Sequence, residues 1–489
     1  MAEQKNPNLD SVTTINPDGS HYKLHPANVS GKFTRARRII GFVLIIVYAA
    51  LPWIPINGNP AVFLDTASRQ FHLFGISLDV QDLWVLFFFI SGLGFILFFI
   101  TSLLGRIWCG WTCPYTVFLD HVYRAIERFV EGDAPARKKL DNAPLTAEKL
   151  FKRTVKHGLF ILCSTLIAHI FISYFVSLKG LYGFIQEGPG EHNISFGAIA
   201  FLTAVLYFCF AWFREQFCVV MCPYGRIQSA LSDDNTMVIG YDSRRGEPRG
   251  KADDPNSGDC IDCRRCVNVC PTGIDIRDGL QLECIGCAAC IDACDEIMVK
   301  LDRPKGLVRY SSHNALNGIK AKIIRPRFFA YLTLMLLGTT ALAVTMYQKA
   351  RPFNAQVNKM KGSPYQKDDT GVRNIYQIHL SNKRNAATTF DISLADAPAW
   401  ISTSGTTEGI ILQAKEKKTY NLVVIAPAEK YDGTFKFQIV VKSRKDNTTV
   451  DNKVSFLGPS PKRYRKKIIQ AEEEAKQKAE TEAEPSNKP

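Results

Sequence analysis

Five long apolar runs separate the polar segments of this chain and dominate its hydropathy pattern. Each run approaches the roughly 20 residues that an α-helix needs to cross the hydrocarbon core of a bilayer. Charged residues are scarce within the runs and frequent beside them. The pattern therefore predicts a multi-domain membrane protein with a five-span α-helical bundle. The spans are expected at about residues 39–56, 83–104, 158–178, 194–213 and 328–347, so that residues 32–213 hold the first four.

A different pattern follows the fifth run. Between residues 351 and 458, short segments such as 374–380 and 434–441 alternate apolar and polar residues, and turn residues such as Asp432-Gly433 separate them. Alternation with a period of two is typical of half-buried β-strands. This region is therefore predicted to form an immunoglobulin-like β-sandwich, with Trp400 in its core.

Polar segments form both ends of the chain. Residues 1–31 are rich in Asn, Pro, Asp and Ser, and residues 459–489 are largely Lys, Glu and Ala in charged blocks. Neither segment holds enough apolar surface for a packed core, so the first is predicted to be poorly ordered and the second to be disordered or a loose helix. The long polar stretch before the first apolar run also predicts that there is no cleavable signal peptide.

The chain is basic, with 60 Lys and Arg against 46 Asp and Glu and a formal net charge of +14. The basic residues crowd beside the apolar runs, which favours membrane topology over a nucleic-acid partner. They are concentrated in 106–156 and 214–327. By the positive-inside rule, these segments and the N-terminus are predicted to be cytoplasmic. An odd number of spans then places 351–458 in the periplasm of a bacterium, with the chain in the inner membrane.

Eight cysteines between residues 260 and 294 form two matching runs. They are Cys260, Cys263, Cys266 and Cys270, followed by Pro271, and then Cys284, Cys287, Cys290 and Cys294, followed by Asp295. Three cysteines spaced by two residues, with a fourth three residues further on, form the ligand pattern of a bacterial ferredoxin. Proline normally follows the fourth cysteine, so Asp295 leaves the local turn of the second run open.

Two 4Fe–4S clusters are predicted from these runs. In two-cluster ferredoxins the fourth cysteine of each run binds the cluster of the other run. Zinc is a weaker alternative for paired Cys-x-x-Cys motifs, and a cytoplasmic location disfavours disulfides. Residues 214–327, with a core at 255–300, are thus predicted to form an inserted ferredoxin domain. One cluster is assigned to Cys260, Cys263, Cys266 and Cys294, and the other to Cys284, Cys287, Cys290 and Cys270.

A second cysteine motif occurs twice, each time after an apolar run. Its copies, within 109–114 and 218–223, are Cys109-Gly-Trp-Thr-Cys113-Pro114-Tyr115 and Cys218-Val-Val-Met-Cys222-Pro223-Tyr224. A spacing of four places two thiols on one face of a helix, and the proline ends or kinks that helix. Four thiolates can bind Cu(I), zinc or an iron–sulfur cluster, or cycle between dithiol and disulfide. Buried structural cysteines are the remaining alternative, and the residues alone leave the choice open.

The order of these features resembles the cytochrome c oxidase accessory protein family CcoG, also called FixG or RdxA. The resemblance covers nearly the whole chain apart from its polar N-terminus and charged tail. It implies a membrane polyferredoxin that reduces Cu(II) to Cu(I) during assembly of a cbb-type haem–copper oxidase. It also implies that the eight ferredoxin cysteines carry electrons and that the copper or redox thiols are Cys109, Cys113, Cys218 and Cys222.

Two other functions remain open at this point. A membrane polyferredoxin can relay electrons between the quinone pool and a periplasmic reductase, or act as a non-enzymatic scaffold for oxidase assembly. The expected partners are copper ions, oxidase subunits or copper chaperones or transporters, and membrane lipid. Nothing in the sequence resembles a flavin or nicotinamide site, so an unidentified donor must supply electrons. Arg264, Arg265 and Arg277 beside the cluster loops are candidates for docking an acidic donor.

Overall fold

A computed structural model describes residues 23–464, except for 57–58, 67–69, 80–83, 280, 282, 323, 350–351, 361, 363, 369, 385 and 463. The chain divides into two compact units, Met1–Lys349 and Ala350–Pro489. The predictions of poor order for residues 1–22 and 465–489 fall outside the described residues.

The first unit is mainly helical. Its α-helices are α1 (Lys32–Ala50), α2 (Trp84–Leu104), α3 (Ile107–Trp111), α4 (Pro114–Phe118), α5 (Arg124–Glu131), α6 (Ala134–Asn142), α7 (Ala147–Ile172), α8 (Leu178–Glu187), α9 (Asn193–Tyr207), α10 (Pro223–Leu231), α11 (Ser243–Gly246), α12 (Arg265–Asn268), α13 (Ala289–Lys300), α14 (His313–Leu316) and α15 (Pro326–Lys349). Three π-helical segments lie at Leu119–Tyr123, Phe208–Phe213 and Phe217–Met221, and two 3-10 turns at Leu51–Trp53 and Ile276–Asp278.

Five helical segments are long and apolar enough to cross a membrane, which confirms the predicted apolar helices. They are Lys32–Trp53, Trp84–Leu104, Ala147–Ile172, Asn193–Phe213 and Pro326–Tyr347. Two of them begin earlier than the apolar runs, because Lys, Arg and Glu are good helix formers and extend a helix beyond its apolar stretch. In α7, the Thr146 hydroxyl also caps the start by accepting the backbone N–H of Lys149 at 3.2 Å.

The surfaces of these helices suit a lipid environment. On α1 the large side chains of Ile39, Phe42 and Ile46 are exposed and recur at helical spacing. Helices α2 and α15 pack closely where glycines meet, since a Cβ on Gly92 would lie 3.7 Å from the carbonyl oxygen of Gly338. Small residues allow this close approach of two membrane helices.

Short strands between α1 and α2 are a feature that the hydropathy pattern does not predict. They are β1 (Pro55–Ile56), β2 (Asn59–Pro60), β3 (Val62–Asp65), β4 (Gln70–Leu73) and β5 (Ile76–Asp79). Strands β1 and β2 pair with each other, and β3, β4 and β5 form an antiparallel sheet. Each strand has at most four residues, too few for a clear alternation. Leu73 and Leu78 of this sheet are buried with Val85 at the start of α2.

The region with the eight cysteines is held by two strands and two helices. Strands β6 (Val238–Tyr241) and β7 (Val308–Ser311) pair antiparallel, and apolar side chains of α13 pack against them. Residues 23–31 lie against this region, contrary to the predicted disorder of 1–31. The backbone N–H of Ala27 donates to the carbonyl of Asn268 at 2.8 Å, and Arg265 donates to the carbonyl of Asn28 at 2.9 Å.

The second unit is a two-sheet antiparallel β structure, in agreement with the predicted sandwich. Its strands are β8 (Phe353–Lys359), β9 (Gln366–Asp368), β10 (Gly371–Asn382), β11 (Thr388–Ala395), β12 (Ser402–Ser404), β13 (Ile410–Leu412), β14 (Lys417–Pro427), β15 (Phe435–Ser443) and β16 (Thr449–Phe456). One sheet has the order β12–β14–β10–β8, with β9 also paired to β10, and the other has the order β13–β11–β15–β16.

The core of the second unit follows the alternation seen in the sequence. Alternate residues of β10 and β15 are buried between the sheets, including Tyr376 and Phe437, whose rings meet edge to face at 5.7 Å. Trp400 is half-buried at the margin of this core, 5.9 Å from Phe435. Tyr464 is buried 5.8 Å from Tyr431, so the start of the predicted tail belongs to the folded unit.

Candidate electron-transfer site

The eight cysteines line two cavities, four of them at the first and five at the second, with Cys266 at both. The first is bounded by Tyr241, Met298 and Leu307, and its cysteines, the first cysteine set, are Cys260, Cys263, Cys266 and Cys294. The second is bounded by Ile239, Ile274 and Ile285, and its cysteines, the second cysteine set, are Cys270, Cys284, Cys287 and Cys290, with Cys266 also reaching it. The structure thus brings together the crossed groups that the sequence predicts.

The backbone of the two cysteine runs adopts the same unusual conformation. Asp262 and Arg264 in the first run, and Gly286 and Ala288 at the equivalent places of the second, all have positive φ, between 52° and 69°. Non-glycine residues reach this left-handed region at a cost of order 1–3 kcal/mol each, which points to a functional constraint. Successive amide groups in such turns form concave anion sites, as found around iron–sulfur clusters. The donors and the backbone therefore fit two 4Fe–4S clusters.

Seven of the eight thiols are buried or half-buried. Burial, followed by the neighbouring Cys294 thiol, raises the pKa of Cys266 to about 12. Burial likewise raises the pKa values of Cys284 and Cys294 to about 12. Metal binding by such groups requires thiolates, so uptake of iron must release protons. By contrast, Cys263 of the first set is exposed.

The departure at Asp295 has a structural explanation. Cys270 lies in a loop that turns at Pro271, whereas Cys294 lies inside α13, which continues to Lys300. A proline at position 295 would remove a helical hydrogen bond and break α13. The Asp295 carboxylate instead accepts the backbone N–H of Gly306 at 2.9 Å, which ties the helix to the following loop.

The other four cysteines lie where helices end. Cys109 is in α3 and Cys218 is in the π-helical segment Phe217–Met221, whereas Cys113 and Cys222 follow these elements in extended conformation, with ψ of 123° and 110°. Proline disfavours helical geometry in the residue before it and here occupies the first position of α4 and of α10. The expectation that each pair shares one continuous helix face is therefore not met.

The four thiols nevertheless form one group, called here the four-thiol group (Cys109, Cys113, Cys218 and Cys222). Burial and then the Cys113 thiol raise the pKa of Cys109 to about 11. Burial also raises the pKa of Cys218, and the three other thiols add to the shift. All four cysteines are free thiols. Among the described residues, no three histidine, cysteine or carboxylate side chains are grouped so that they could hold a single metal ion.

Each copy of the repeated motif is braced by the other. The Tyr115 hydroxyl donates to the carbonyl oxygens of Cys209 and Arg214, at 2.9 and 2.6 Å, just before the second copy. Reciprocally, the Tyr224 hydroxyl bonds to Thr101 at the end of α2, just before the first copy. Arg106 adds a hydrogen bond to the carbonyl of Gly225. These contacts require the two copies to fold together.

The first copy of the motif lies directly against the loop of the second cysteine set. A Cβ on Gly110 would lie 2.6 Å from the carbonyl oxygen of Ile285 and 2.8 Å from the Cα of Cys287, so only glycine fits there. The Trp111 indole donates to the carbonyl of Gly286 at 3.3 Å, and Cys109 packs in the same apolar cluster as Ile285 and Cys287. The four-thiol group and one predicted cluster site therefore share a packed interface.

Gln228 is a site residue that sequence reasoning missed. It lies on α10, is fully buried, and its side-chain amide nitrogen donates to the Cys109 sulfur at 3.5 Å. This hydrogen bond opposes the pKa increase that burial causes at Cys109. Nothing in the sequence links two residues so far apart. The only local signal is a polar side chain placed just after the second motif.

A buried ionic network surrounds the thiols and was also missed. Arg37 donates to the carbonyl of Gly110 at 2.8 Å and forms an ion pair with Asp120. Arg214 donates to both carboxylate oxygens of Glu127, at 2.7 and 3.1 Å. Burial alone would raise the pKa of Glu127, but Arg214, together with Lys23 and Lys156, outweighs this effect and holds the pKa below its usual range. Removing one member of a buried pair of this kind leaves its partner as an uncompensated buried charge, which is strongly destabilising.

Family models agree with this division of the chain. A 4Fe-4S dicluster domain matches residues 213–313, which include the eight ferredoxin cysteines. A 4Fe-4S binding domain matches residues 85–131, which include Cys109 and Cys113. An IG-like fold at the C-terminal of FixG, a putative oxidoreductase, matches residues 343–459. Together with the five apolar helices, these matches define the class, an iron–sulfur electron-transfer protein with membrane helices and an Ig-like domain.

Curated relatives identify the family within that class. The chain is 36% identical to Protein RdxB of Cereibacter sphaeroides over 430 residues, covering 82% of this chain and 88% of RdxB. It is 35% identical to Protein RdxA of the same organism, over 73% of this chain and 79% of RdxA. Nitrogen fixation protein FixG of Rhizobium meliloti is 41% identical over 59% of this chain, and the match spans 57% of the length of FixG. The chain belongs to the FixG/RdxA family of polyferredoxins.

Solved structures also match this chain, and one of them comes from a related protein. The crystal structure of a FixG-related protein from Vibrio parahaemolyticus aligns with 22% of this chain and 96% of its own, at 14% identity and a TM-score of 0.20.

Proposed function

We propose that this chain is a cupric reductase that converts Cu(II) to Cu(I) for the assembly of a cbb-type haem–copper oxidase. In this proposal the N-terminus and the ferredoxin domain face the cytoplasm of a bacterium, and the Ig-like domain faces the periplasm. Copper is the substrate, bound by the four-thiol group. Oxidase subunits, copper chaperones or copper transporters receive the product.

The contact between Gly110 and the loop 285–287 is the observation that carries the proposal. When bound to the two cysteine sets, 4Fe–4S clusters supply low-potential one-electron reduction. The chain holds the second cysteine set and the first thiol motif in van der Waals contact, which leaves no room for water between the Gly110 Cα and the facing backbone. Arg37 keeps the first thiol motif in this position through its hydrogen bond to the Gly110 carbonyl.

The thiols of the four-thiol group are better ligands for Cu(I), the product, than for Cu(II), the substrate. Thiolates are soft ligands that favour Cu(I) over Cu(II), so binding at sulfur makes the one-electron reduction more favourable. Each Cu(II) takes one electron and becomes Cu(I), and thiols that bind the ion lose their protons. Gln228 donates to the Cys109 sulfur and would hold that sulfur in place when copper binds.

The electron donor is proposed to dock at the first cysteine set. Cys263 is the exposed member of the eight ferredoxin cysteines, and Arg264 and Arg265 line the same cavity. A basic surface of this kind steers an acidic protein donor such as a ferredoxin or flavodoxin. Arg277 does not contribute in the same way, because it is buried in ion pairs with Asp262 and Asp275.

The test is anaerobic mixing of the dithionite-reduced, cluster-loaded protein with Cu(II). Cluster reoxidation and Cu(I) capture by a chromogenic chelator are followed together in the wild type and in Cys109→Ser/Cys218→Ser. The matched control is Cys163→Ser/Cys209→Ser, which removes two cysteines from membrane helices outside the repeated motif. We expect coupled reoxidation and capture in the wild type and the control, and neither in the first variant. Wild-type rates in the first variant would exclude the four-thiol group as the copper site.

A quinone-linked relay is the second candidate, and a separate cavity favours it. This cavity has a volume of about 180 Å³ and lies at the end of α2, between Leu104 and Met237 on one side and Cys284 on the other. His313 and Tyr310 also line it, so an apolar ring with polar substituents suits its chemistry. If reduced clusters are stable to Cu(II) but reoxidise with a soluble quinone, the relay replaces the cupric reductase.

A further inference from the structure

A polar cavity of about 80 Å³ lies beside the start of α1, between the membrane helices and the second cysteine run. Five arginines, one histidine and a single carboxylate line this cavity, called here the arginine cavity. These residues are Arg37, Arg38, Arg124, Arg128, Arg137, His121 and Asp120. So many cations around one small space repel each other unless an anion joins them.

Two of these arginines keep a hydrogen-bond donor unused. Arg124 and Arg137 are only 5% and 2% exposed, and the Nε of each has no hydrogen-bond partner in the described part of the chain. A buried donor without a partner costs of order 1–3 kcal/mol, so such groups normally have a ligand. Neither group contributes to the four-thiol group or to the two cysteine sets. Their free donors therefore need another explanation.

The surrounding carboxylates do not neutralise the cavity. Asp120 is shared by Arg37 and Arg124, and Arg124 also forms an ion pair with Glu215. Glu127, which pairs with Arg137 at 3.3 Å, is also bound by Arg214. Within the residues that the structure describes, Arg38 and Arg128 form no ion pair. Burial lowers the pKa of Arg128, Asp120 raises it, and further cations, including Arg38, lower it. The balance of charge at the cavity remains positive.

The cavity adjoins a surface that suits acyl chains. Arg38 is followed on α1 by Ile39, which is 60% exposed, and one turn later by Phe42, which is 64% exposed. Arg128 is followed by Phe129, which is 87% exposed. Basic pockets between membrane helices at the cytoplasmic surface are typical sites for anionic lipid headgroups. The same side chains offer the planar donors that phosphate oxygens prefer.

We propose that the arginine cavity binds a phosphate group, supplied by an anionic phospholipid of the surrounding membrane or by a soluble phosphate. The buried Arg124 and Arg137 contact the phosphate oxygens, and Arg38 and Arg128 close over it from the surface. The bound phosphate stabilises the junction between α1, α5 and the second cysteine run. Arg124 of α5 already contacts the loop that follows Cys270 of the first cysteine run, because its guanidinium donates to the carbonyl of Pro271 at 3.2 Å.

The test uses the full-length, cluster-loaded protein in nanodiscs made of phosphatidylcholine, with or without phosphatidylglycerol. Native mass spectrometry measures lipid retention, and calorimetry measures binding of inorganic phosphate in phosphatidylcholine discs. The variant is Arg38→Gln/Arg128→Gln, whose two side chains lie at the cavity mouth. The matched control is Arg35→Gln/Lys139→Gln, which removes two exposed cations outside the cavity. Cluster absorbance verifies that each variant is folded.

We expect the first variant to retain phosphatidylglycerol about thirtyfold less well, the effect of two cations at a membrane surface. The control should match the wild type. Displacement of the lipid by inorganic phosphate would identify the headgroup as the recognised part, and phosphate binding without a lipid preference would assign the site to a soluble anion. Equal losses in variant and control, or no binding of either ligand, would overturn the proposal.

Discussion

Gly110→Ala is the most direct test of the interface between the four-thiol group and the second cysteine set. The added methyl group would meet the carbonyl oxygen of Ile285 at 2.6 Å and the Cα of Cys287 at 2.8 Å. Both contacts are with backbone atoms, which cannot rotate away. The first thiol motif must therefore move away from the cluster loop.

The size of the effect follows from these distances. An ordinary contact needs 3.4 Å, so the loops must separate by about 3.4 − 2.6 = 0.8 Å. Overpacking of this kind costs about 1–3 kcal/mol, whereas replacing glycine by alanine within a helix returns about 0.5–1 kcal/mol. The net loss of stability is therefore modest, and the protein stays folded. The wider gap should, however, slow electron transfer, because the electron must cross the added distance.

The assay is stopped-flow reoxidation of the reduced clusters by Cu(II), with cluster content verified by iron analysis and EPR. We expect Gly110→Ala to keep its clusters and to react a few-fold more slowly than the wild type. Gly158→Ala is the control, because a Cβ on Gly158 of α7 meets nothing within 4 Å. Reoxidation at the wild-type rate in Gly110→Ala, with clusters intact, would refute the idea that this contact carries electrons to copper.

Three further predictions concern other parts of the molecule. Glu127→Gln leaves buried arginines short of a partner and should cost about 3–5 kcal/mol in guanidinium unfolding, whereas Glu148→Gln at an exposed pair should change nothing measurable. Because the pKa of Glu127 is lowered in the folded state, its contribution is present above about pH 4.5 and lost as the pH falls, so stability in Glu127→Gln should depend less on acid pH. Cys294→Ser should halve the iron content by removing the cluster of the first cysteine set, and an unchanged iron content would contradict the role of Cys294 as a cluster ligand. Phe437→Ala should destabilise the sandwich by about 3–5 kcal/mol without changing cluster absorbance, and equal resistance to proteolysis would contradict its core position.

The features predicted from sequence are those with a local, repeating signal. Apolar runs long enough for a bilayer, the spacing of the eight ferredoxin cysteines and the alternation of β10 and β15 each depend on neighbouring residues. The start of α7 differs from the predicted span, since a helix follows backbone propensity and capping rather than apolar content alone. Strands β1–β5 were missed because none is longer than four residues.

The missed site residues share a different property. Gln228 reaches Cys109, and Arg37 reaches Gly110 and Asp120, only after the helices have packed. Their chemistry depends on partners that are distant in sequence, and a single sequence carries no record of those pairings. A weak signal exists in 120–131, where charged side chains at i, i+4 spacing lie among apolar ones. Such residues beside a membrane segment are costly unless they pair, so they mark a site.

The predicted cluster sites and the four-thiol group each combine residues from two copies of a motif. Each cysteine set takes its fourth member from the other run, and each tyrosine of the thiol motif braces the helix before the other copy. A single copy therefore supplies neither a complete ligand set nor a complete support. At Gly110, the first thiol motif contacts the loop of the second cysteine set. Because each cysteine set and each thiol motif depends on the other copy, loss of one motif should remove a site outright rather than weaken it. Such mutual dependence fits a chain that passes single electrons over short, fixed distances.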